Sequence, residues 1–176
     1  MEKPMPGLAF KLMSIVFKVR DFLGPRLDVL REAGIKPGFH VLDFGCGPGS
    51  YITPLAELVG PSGKITALDV HPLAIRAVES IAARKGIRNI ETIQSDGGAG
   101  LSDNSVDVVL LYDVFHNLAR PDEVLRELHR ILKPGGGLSF SDHHMNEKDV
   151  LTKVTSAGMF RFAGKGKKTY RFVKVP

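Results

Sequence analysis

Apolar and polar positions fall into blocks whose period changes along the chain, and the changes mark out its elements. Residues 8–23, LAFKLMSIVFKVRDFL, are apolar with widely spaced cations, and Gly24-Pro25 stops the helix they predict. A second short helix, 25–33, ends at Gly34. Beyond it, short apolar runs alternate with amphipathic stretches. Strands are predicted at FHVLDF (39–44), KITALDV (64–70), NIETIQ (89–94), SVDVVLLY (105–112) and GLSFSD (137–142), with a closing pair at 159–163 and 168–175. Helices are predicted at 50–59, which tolerates Pro54 in its first turn, at 72–85, which closes at Gly86, and at 146–156. One more helix covers PDEVLRELHRILKPGG. Pro121 opens it, Asp122 and Glu123 occupy its first turn, and His129, Arg130 and Lys133 lie near its end. Strands alternating with helices imply right-handed crossovers and a parallel sheet covered on both faces. The expected fold is therefore a doubly wound α/β domain. Its seven-stranded sheet is mostly parallel and ends in a C-terminal antiparallel hairpin. Residues 1–35 supply N-terminal lid helices and 36–176 the core.

Composition narrows the class. A chain of 176 residues with 43% hydrophobic and 24% charged content fits one soluble globular domain. No apolar run is long enough to cross a membrane and the start does not look like a signal peptide, so a cytoplasmic enzyme is the default. A single cysteine, Cys46, excludes an internal disulfide and a cysteine-built zinc site. The net charge of +5 is partly local: Arg161, Lys165, Lys167, Lys168, Arg171 and Lys174 occur in a stretch without an acid. The plain reading of that stretch is a solvated hairpin face.

The candidate chemistry begins at HVLDFGCGPGSYITPL, residues 40–55. Gly45, Gly47 and Gly49 follow the first strand, where open α/β sheets bind ligands, and glycine lets backbone approach a ligand closely. A dinucleotide and a nucleoside would both use such a turn. Three details separate them. The dinucleotide fingerprint G-x-G-x-x-G/A fails, because Ser50 stands at its last position. Asp43, at the strand tip, would repel a pyrophosphate but favour an ammonium or sulfonium group. Asp69 ends the second strand, where an acid can accept both ribose hydroxyls. Together they indicate a cationic nucleoside ligand.

With VLDFGCGPG, ALDV, QSDG, SVDVVLLYDVFHNL and LKPGGGLSFSD in this order, the chain resembles the class I S-adenosylmethionine-dependent methyltransferases, from about residue 38 to 175. Within them it is most similar to the methyltransferase type 11 and quinone-biosynthesis C-methyltransferase group. The resemblance implies a Rossmann-like fold and S-adenosylmethionine as cofactor, with S-adenosylhomocysteine as product. It places Asp43 and the backbone of Gly45 to Gly47 on the methionine moiety, with Cys46 as a small turn residue rather than a nucleophile. Asp69 takes the ribose, Val70 packs on the adenine, Asp96 accepts from the adenine amino group with Gly97 alongside, and the Leu111 carbonyl meets the ligand's amine. Quinone-type members usually carry a helical segment after the fifth strand that covers the substrate. Here Asp142 leads almost directly into helix 146–156, leaving an acceptor side that is open or covered by another subunit.

Methyl transfer from a sulfonium is an in-line displacement, governed mainly by positioning. A general base is required only if the acceptor keeps its proton until attack. His116, in YDVFHNL, and His143, in SDHHM, are the candidate catalytic residues. Adjacent residues of an extended segment point opposite ways, so at most one of His143 and His144 is expected to face the pocket. Asp142 with His116 and one of these would be the only conceivable metal set, and no metal is expected, since most members need none. The fourth strand lacks both the Asn/Asp-Pro-Pro-aromatic motif of amino-methylating nucleic-acid enzymes and a cysteine for cytosine C5 chemistry. Methylation of a metalloid would need several cysteines. Lys11 and Lys18, seven apart in segment 8–23, fit either a lid helix or a helix lying on an anionic membrane. The expected function is methylation of a small-molecule or lipid-like acceptor, with peripheral membrane contact through 8–23 and homodimerisation as partner hypotheses. Methylation of RNA or protein, and a catalytically silent cofactor-binding subunit, are the alternatives; nucleic acid is the weaker partner because the basic hairpin has few free aromatics.

Overall fold

The computed structural model describes residues 6–23 and 26–176. Its strands are β1 (His40–Phe44), β2 (Lys64–Asp69), β3 (Ile90–Gln94), β4 (Val106–Tyr112), β5 (Leu132–Ser141), β6 (Phe160–Lys165) and β7 (Tyr170–Lys174), joined in one sheet in the order β3-β2-β1-β4-β5-β7-β6. Strands β1 to β5 pair in parallel, and β7 runs antiparallel to both β5 and β6. The helices are α1 (Gly7–Leu23), α2 (Leu27–Glu32), α3 (Ile52–Val59), α4 (Pro72–Lys85), α5 (Pro121–Ile131) and α6 (Glu147–Thr155). Strand order reverses at β1 and β4, which opens a crevice at their carboxyl ends.

The alternation of side chains along a strand explains the two-sided core. Leu42 and Phe44 of β1, with Val109 and Leu111 of β4, face Leu125, Leu128 and Val150 of α5 and α6. Val41, Val108 and Leu110 face the other way, onto Leu30, Leu55 and Val78 of α2, α3 and α4. The punctuation read from the sequence sits where expected on α4: the His71 Nδ1 atom accepts from the Leu73 amide, Pro72 opens the helix, and Gly86 closes it with φ +66°.

One element boundary is corrected. The helix expected to run through Lys133 stops at Ile131, and Leu132–Gly136 belong to β5. Pro134 disfavours a helical Lys133, and the sheet offers that segment a partner. Val106 faces Leu132 whereas Val108 faces Gly137, so the ladder slips around a turn at Gly135, whose φ is +74°. Lys133 consequently pairs with Asp107 at 2.7 Å instead of closing a helix.

The basic hairpin is held by an acid from the other end of the chain. Glu32 accepts from the amides of Lys167, Lys168 and Thr169, at 3.1, 3.1 and 3.0 Å, and from the Thr169 hydroxyl at 2.9 Å. A β-carbon on Gly166 would lie 2.2 Å from its carboxylate, so the turn is closed around this one group. Burial, the largest single influence, raises the pKa of Glu32, but the hydrogen bonds together hold it below the ordinary value. Its contribution to stability is thus present above the ordinary glutamate range and lost as pH falls through the depressed value. Glu32→Ala is expected to lower stability by about 2–4 kcal/mol, read as a drop in the urea midpoint at neutral pH.

Candidate active site

A cavity of about 490 Å³ opens at the carboxyl ends of β1, β2 and β4. Asp43, Gly45, Cys46 and Gly47 line it from the first turn, and Asp69 and Val70 from the second. Asp96 and Gly97 enter from the loop after β3. The fourth strand supplies Tyr112, Asp113 and Val114 to the wall. Leu111, expected at the strand tip, lies one residue inside it, fully buried between Phe44 and Phe140 in the ladder and outside the cavity lining.

The glycine turn is built by hydrogen bonds that consume its own donors. The amides of Gly45 and Cys46 both donate to the Leu68 carbonyl, at 2.7 and 3.0 Å, and the Gly47 amide donates to Asp69 Oδ2 at 2.9 Å. A pyrophosphate site needs such amides free. Here they are taken up, and two carboxylates share the cavity with the turn. Gly45 has φ +78°, and a β-carbon there would stand 2.3 Å from Val114 Cγ2. Gly45→Ala should therefore displace the turn, costing about 1–3 kcal/mol of stability and at least tenfold in ligand affinity, checked by thermal unfolding and calorimetric titration.

Asp43 is the electrostatic centre. Its side chain is 2% exposed, and Oδ2 has no hydrogen-bond partner among the described residues. Burial first, and the nearby Asp69 second, push its carboxyl up to about 7. A buried acid in this state is satisfied by a bound cation. Asp69 accepts from the amides of His71 and Gly47, one to each carboxylate oxygen, at 2.8 and 2.9 Å. Each oxygen retains a second acceptor direction, enough for two ligand hydroxyls. Burial, then Asp43 and Asp69, push the Cys46 thiol up, so it stays protonated and is no nucleophile. Val70 is 36% exposed on the cavity, a suitable apolar face for a flat ring, and Asp96 sits exposed at the rim.

Neither His116 nor His143 lines the cavity. Each is tied to a carboxylate. His116 bonds Asp142 Oδ2 through its amide (3.0 Å) and Nδ1 (2.9 Å), while His143 bonds Asp113 Oδ1 through its amide (3.1 Å) and Nδ1 (2.7 Å). The expectation that His143 and His144 point opposite ways is overturned. The chain after β5 is a turn closed by the Met145 amide on the Asp142 carbonyl, not an extended segment. The rings of His143 and His144 lie 3.9 Å apart, and that of His144 lies 4.2 Å from His116, so the three form a stack on one side. No group of three or more potential metal ligands with suitable geometry occurs among the described residues.

Sequence reasoning passed over Phe17, Asp113 and Asn117, all of which line the cavity. A signal existed for two of them: Asp113 and Asn117 flank His116 in the segment that follows the fourth strand. Asp113 adopts φ +55°, a left-handed turn that the residue type tolerates and that aims the chain across the cavity mouth.

Comparison with known proteins identifies the class of the protein. Residues 35–172 match the family model of the methyltransferase domain. The chain is 34% identical over 125 residues to a demethylmenaquinone methyltransferase of Geobacillus stearothermophilus, covering 70% of this chain and 53% of the relative. It is 28% identical over 138 residues to a ubiquinone/menaquinone biosynthesis C-methyltransferase of Shewanella sediminis, covering 77% and 55%. It thus spans about half the length of the curated relatives it matches. Among solved structures, a SAM-dependent methyltransferase from Aquifex aeolicus superposes with a TM-score of 0.76 at 27% identity, covering 92% of this chain and 97% of that one. The fold is that of a class I methyltransferase, and the chain belongs to the methyltransferase-domain family. Its cofactor is S-adenosylmethionine, whose positive charge fits the unpartnered carboxylate of Asp43.

Proposed function

We propose that the protein transfers a methyl group from S-adenosylmethionine to a lipid-like acceptor of the phenol or quinol class. The observation that carries the cofactor half is the buried, partnerless Asp43 oxygen beside a turn without free amides. Bound in the cavity, the cofactor supplies an electrophilic methyl on a sulfonium. Asp43 neutralises its cationic end, Asp69 accepts the ribose hydroxyls, Asp96 accepts from the adenine amino group, and Val70 and Gly97 flank the ring. His116 and His143, outside the cavity lining, do not act on the acceptor directly.

The acceptor half is supported by the names of the quinone-type relatives and by the outer surface of α1. Phe10, on the inner side of α1, stacks on His71 with ring centroids 4.4 Å apart, and Phe17 lines the cavity, so α1 roofs the site as a lid. Leu8, Leu12, Ile15 and Val16, spaced as one helical stripe, are 82%, 67%, 59% and 60% exposed on the opposite side. A helix apolar both ways, over an active site, suits a protein that rests on a membrane and takes its acceptor from it. The side chains of Lys11 and Lys18, read in the sequence as flanking cations, lie outside the described residues. No helix among the described residues is long and apolar enough to span a membrane.

The test supplies methyl-labelled S-adenosylmethionine with an alkylated naphthohydroquinone, either in anionic vesicles or dispersed in detergent. Label is expected in the hydroquinone, and Leu12→Asp/Ile15→Asp should slow transfer at least fivefold from vesicles but not from detergent. Label moving only to added RNA or protein overturns the acceptor class. Label moving nowhere, with the cofactor bound, indicates a silent subunit.

A further inference from the structure

We infer that Asn117 is the residue that recognises the acceptor's hydroxyl group, and that Asp142 and His116 are positioning residues that fix which end of its amide faces the cavity. The inference rests on the phenol or quinol reading above. Asp142 closes β5 with its side chain wholly buried, and it accepts three hydrogen bonds: from the His116 amide and Nδ1, and from the His144 amide at 3.1 Å. Burial raises its pKa, but those hydrogen bonds, His116 foremost, hold it below the ordinary aspartate value, so it is ionised and can only accept. Nδ1 of His116, facing a carboxylate oxygen that can only accept, carries a hydrogen.

Asn117 Nδ2 stands 2.8 Å from the other ring nitrogen, Nε2. An NH₂ group can only donate, so in this arrangement Nε2 accepts from it. The Asn117 carbonyl oxygen is the end left over, with no protein donor among the described residues, and Asn117 lines the cavity. An exposed amide carbonyl at the edge of the cavity is a hydrogen-bond acceptor for an incoming O–H. The backbone turn is closed independently by the Asn117 amide on the Val114 carbonyl at 3.0 Å. The side-chain relay reaches from a buried carboxylate to the cavity through two residues, as expected where a polar group must be held in one orientation.

The test uses the full chain saturated with S-adenosylhomocysteine, whose binding also reports a folded cavity. Under argon, the affinities of 1,4-naphthohydroquinone and its dimethyl ether are compared. The two probes share a ring, but the ether has no hydroxyl to donate. Wild type is expected to prefer the hydroquinone by about tenfold. Asn117→Ala should abolish the preference, and His116→Phe, which keeps a ring against His144, should reduce it at least threefold. A preference undiminished in Asn117→Ala overturns the inference while leaving the acceptor class standing. A preference lost in Asn117→Ala but intact in His116→Phe overturns the positioning role. No preference in wild type rejects the phenol or quinol reading itself, and the inference with it.

Discussion

Asp43→Asn is expected to make the protein more stable and much worse at binding its cofactor. The carboxyl of Asp43 is pushed from an ordinary 3.8 up to about 7 by burial and by Asp69. Its folded value lies above the unfolded one, so its contribution favours folding below about pH 4 and is lost progressively as pH rises through about 7. A shift of this size corresponds to at most ~4 kcal/mol above that window, with relaxation of the site reducing it. The amide removes the ionisation while keeping the shape. In the absence of ligand, Asp43→Asn should therefore unfold at a higher temperature than wild type at pH 8, with the gap closing towards pH 4. Cofactor affinity at pH 7.5 should fall on the order of 10- to 100-fold, the worth of a hydrogen bond to a charged group. Differential scanning calorimetry and titration calorimetry on the same two proteins check both halves.

Asp69→Ala should cost more affinity, because one carboxylate performs several tasks. It accepts the Gly47 and His71 amides in the protein alone, and in the proposed complex it would also accept two ribose hydroxyls. Two charge-assisted bonds at about 1.5–3 kcal/mol each give a loss of 10²-fold or more in S-adenosylmethionine affinity. The same substitution removes the second cause of the raised Asp43 pKa, so the stability decline attributed to Asp43 should move to lower pH. It also frees the turn before α4, where His71 caps the helix and stacks on Phe10 of the lid. Unchanged affinity would contradict the placement of the ribose.

Most of the fold was legible because each strand of the parallel core is buried on both faces and each helix carries its own punctuation. SVDVVLLY and PDEVLRELHRI show these two signals, and both elements appear where they were expected. The misread boundary at Ile131 has a local signal in Pro134, but the pairing of Leu132 with Val106, which draws the Lys133–Gly136 segment into the sheet, is nonlocal. The first and second turns of the cavity were legible too, since strand tips place Asp43 and Asp69 by topology alone. The acceptor side was not. Whether His143 and His144 diverge or stack depends on a turn after β5, and the role of Asn117 depends on a carboxylate 25 residues away, at Asp142. The basic stretch 161–174 was read by charge, whereas its turn is organised by the backbone amides that converge on Glu32. Side-chain charge gives no hint of that contact.

The central claim is that the cavity holds a cationic cofactor against a carboxylate that is largely protonated until the cofactor arrives. The measurement that tests it most directly is the number of protons released when S-adenosylmethionine binds at pH 6, obtained by titration calorimetry in buffers of different ionisation enthalpy. With an Asp43 pKa of about 7 in the free protein, close to one proton should be released, and Asp43→Asn should release none. Saturable binding by wild type with no proton release would show that Asp43 is already ionised or does not meet the cofactor's charge, and would contradict the account.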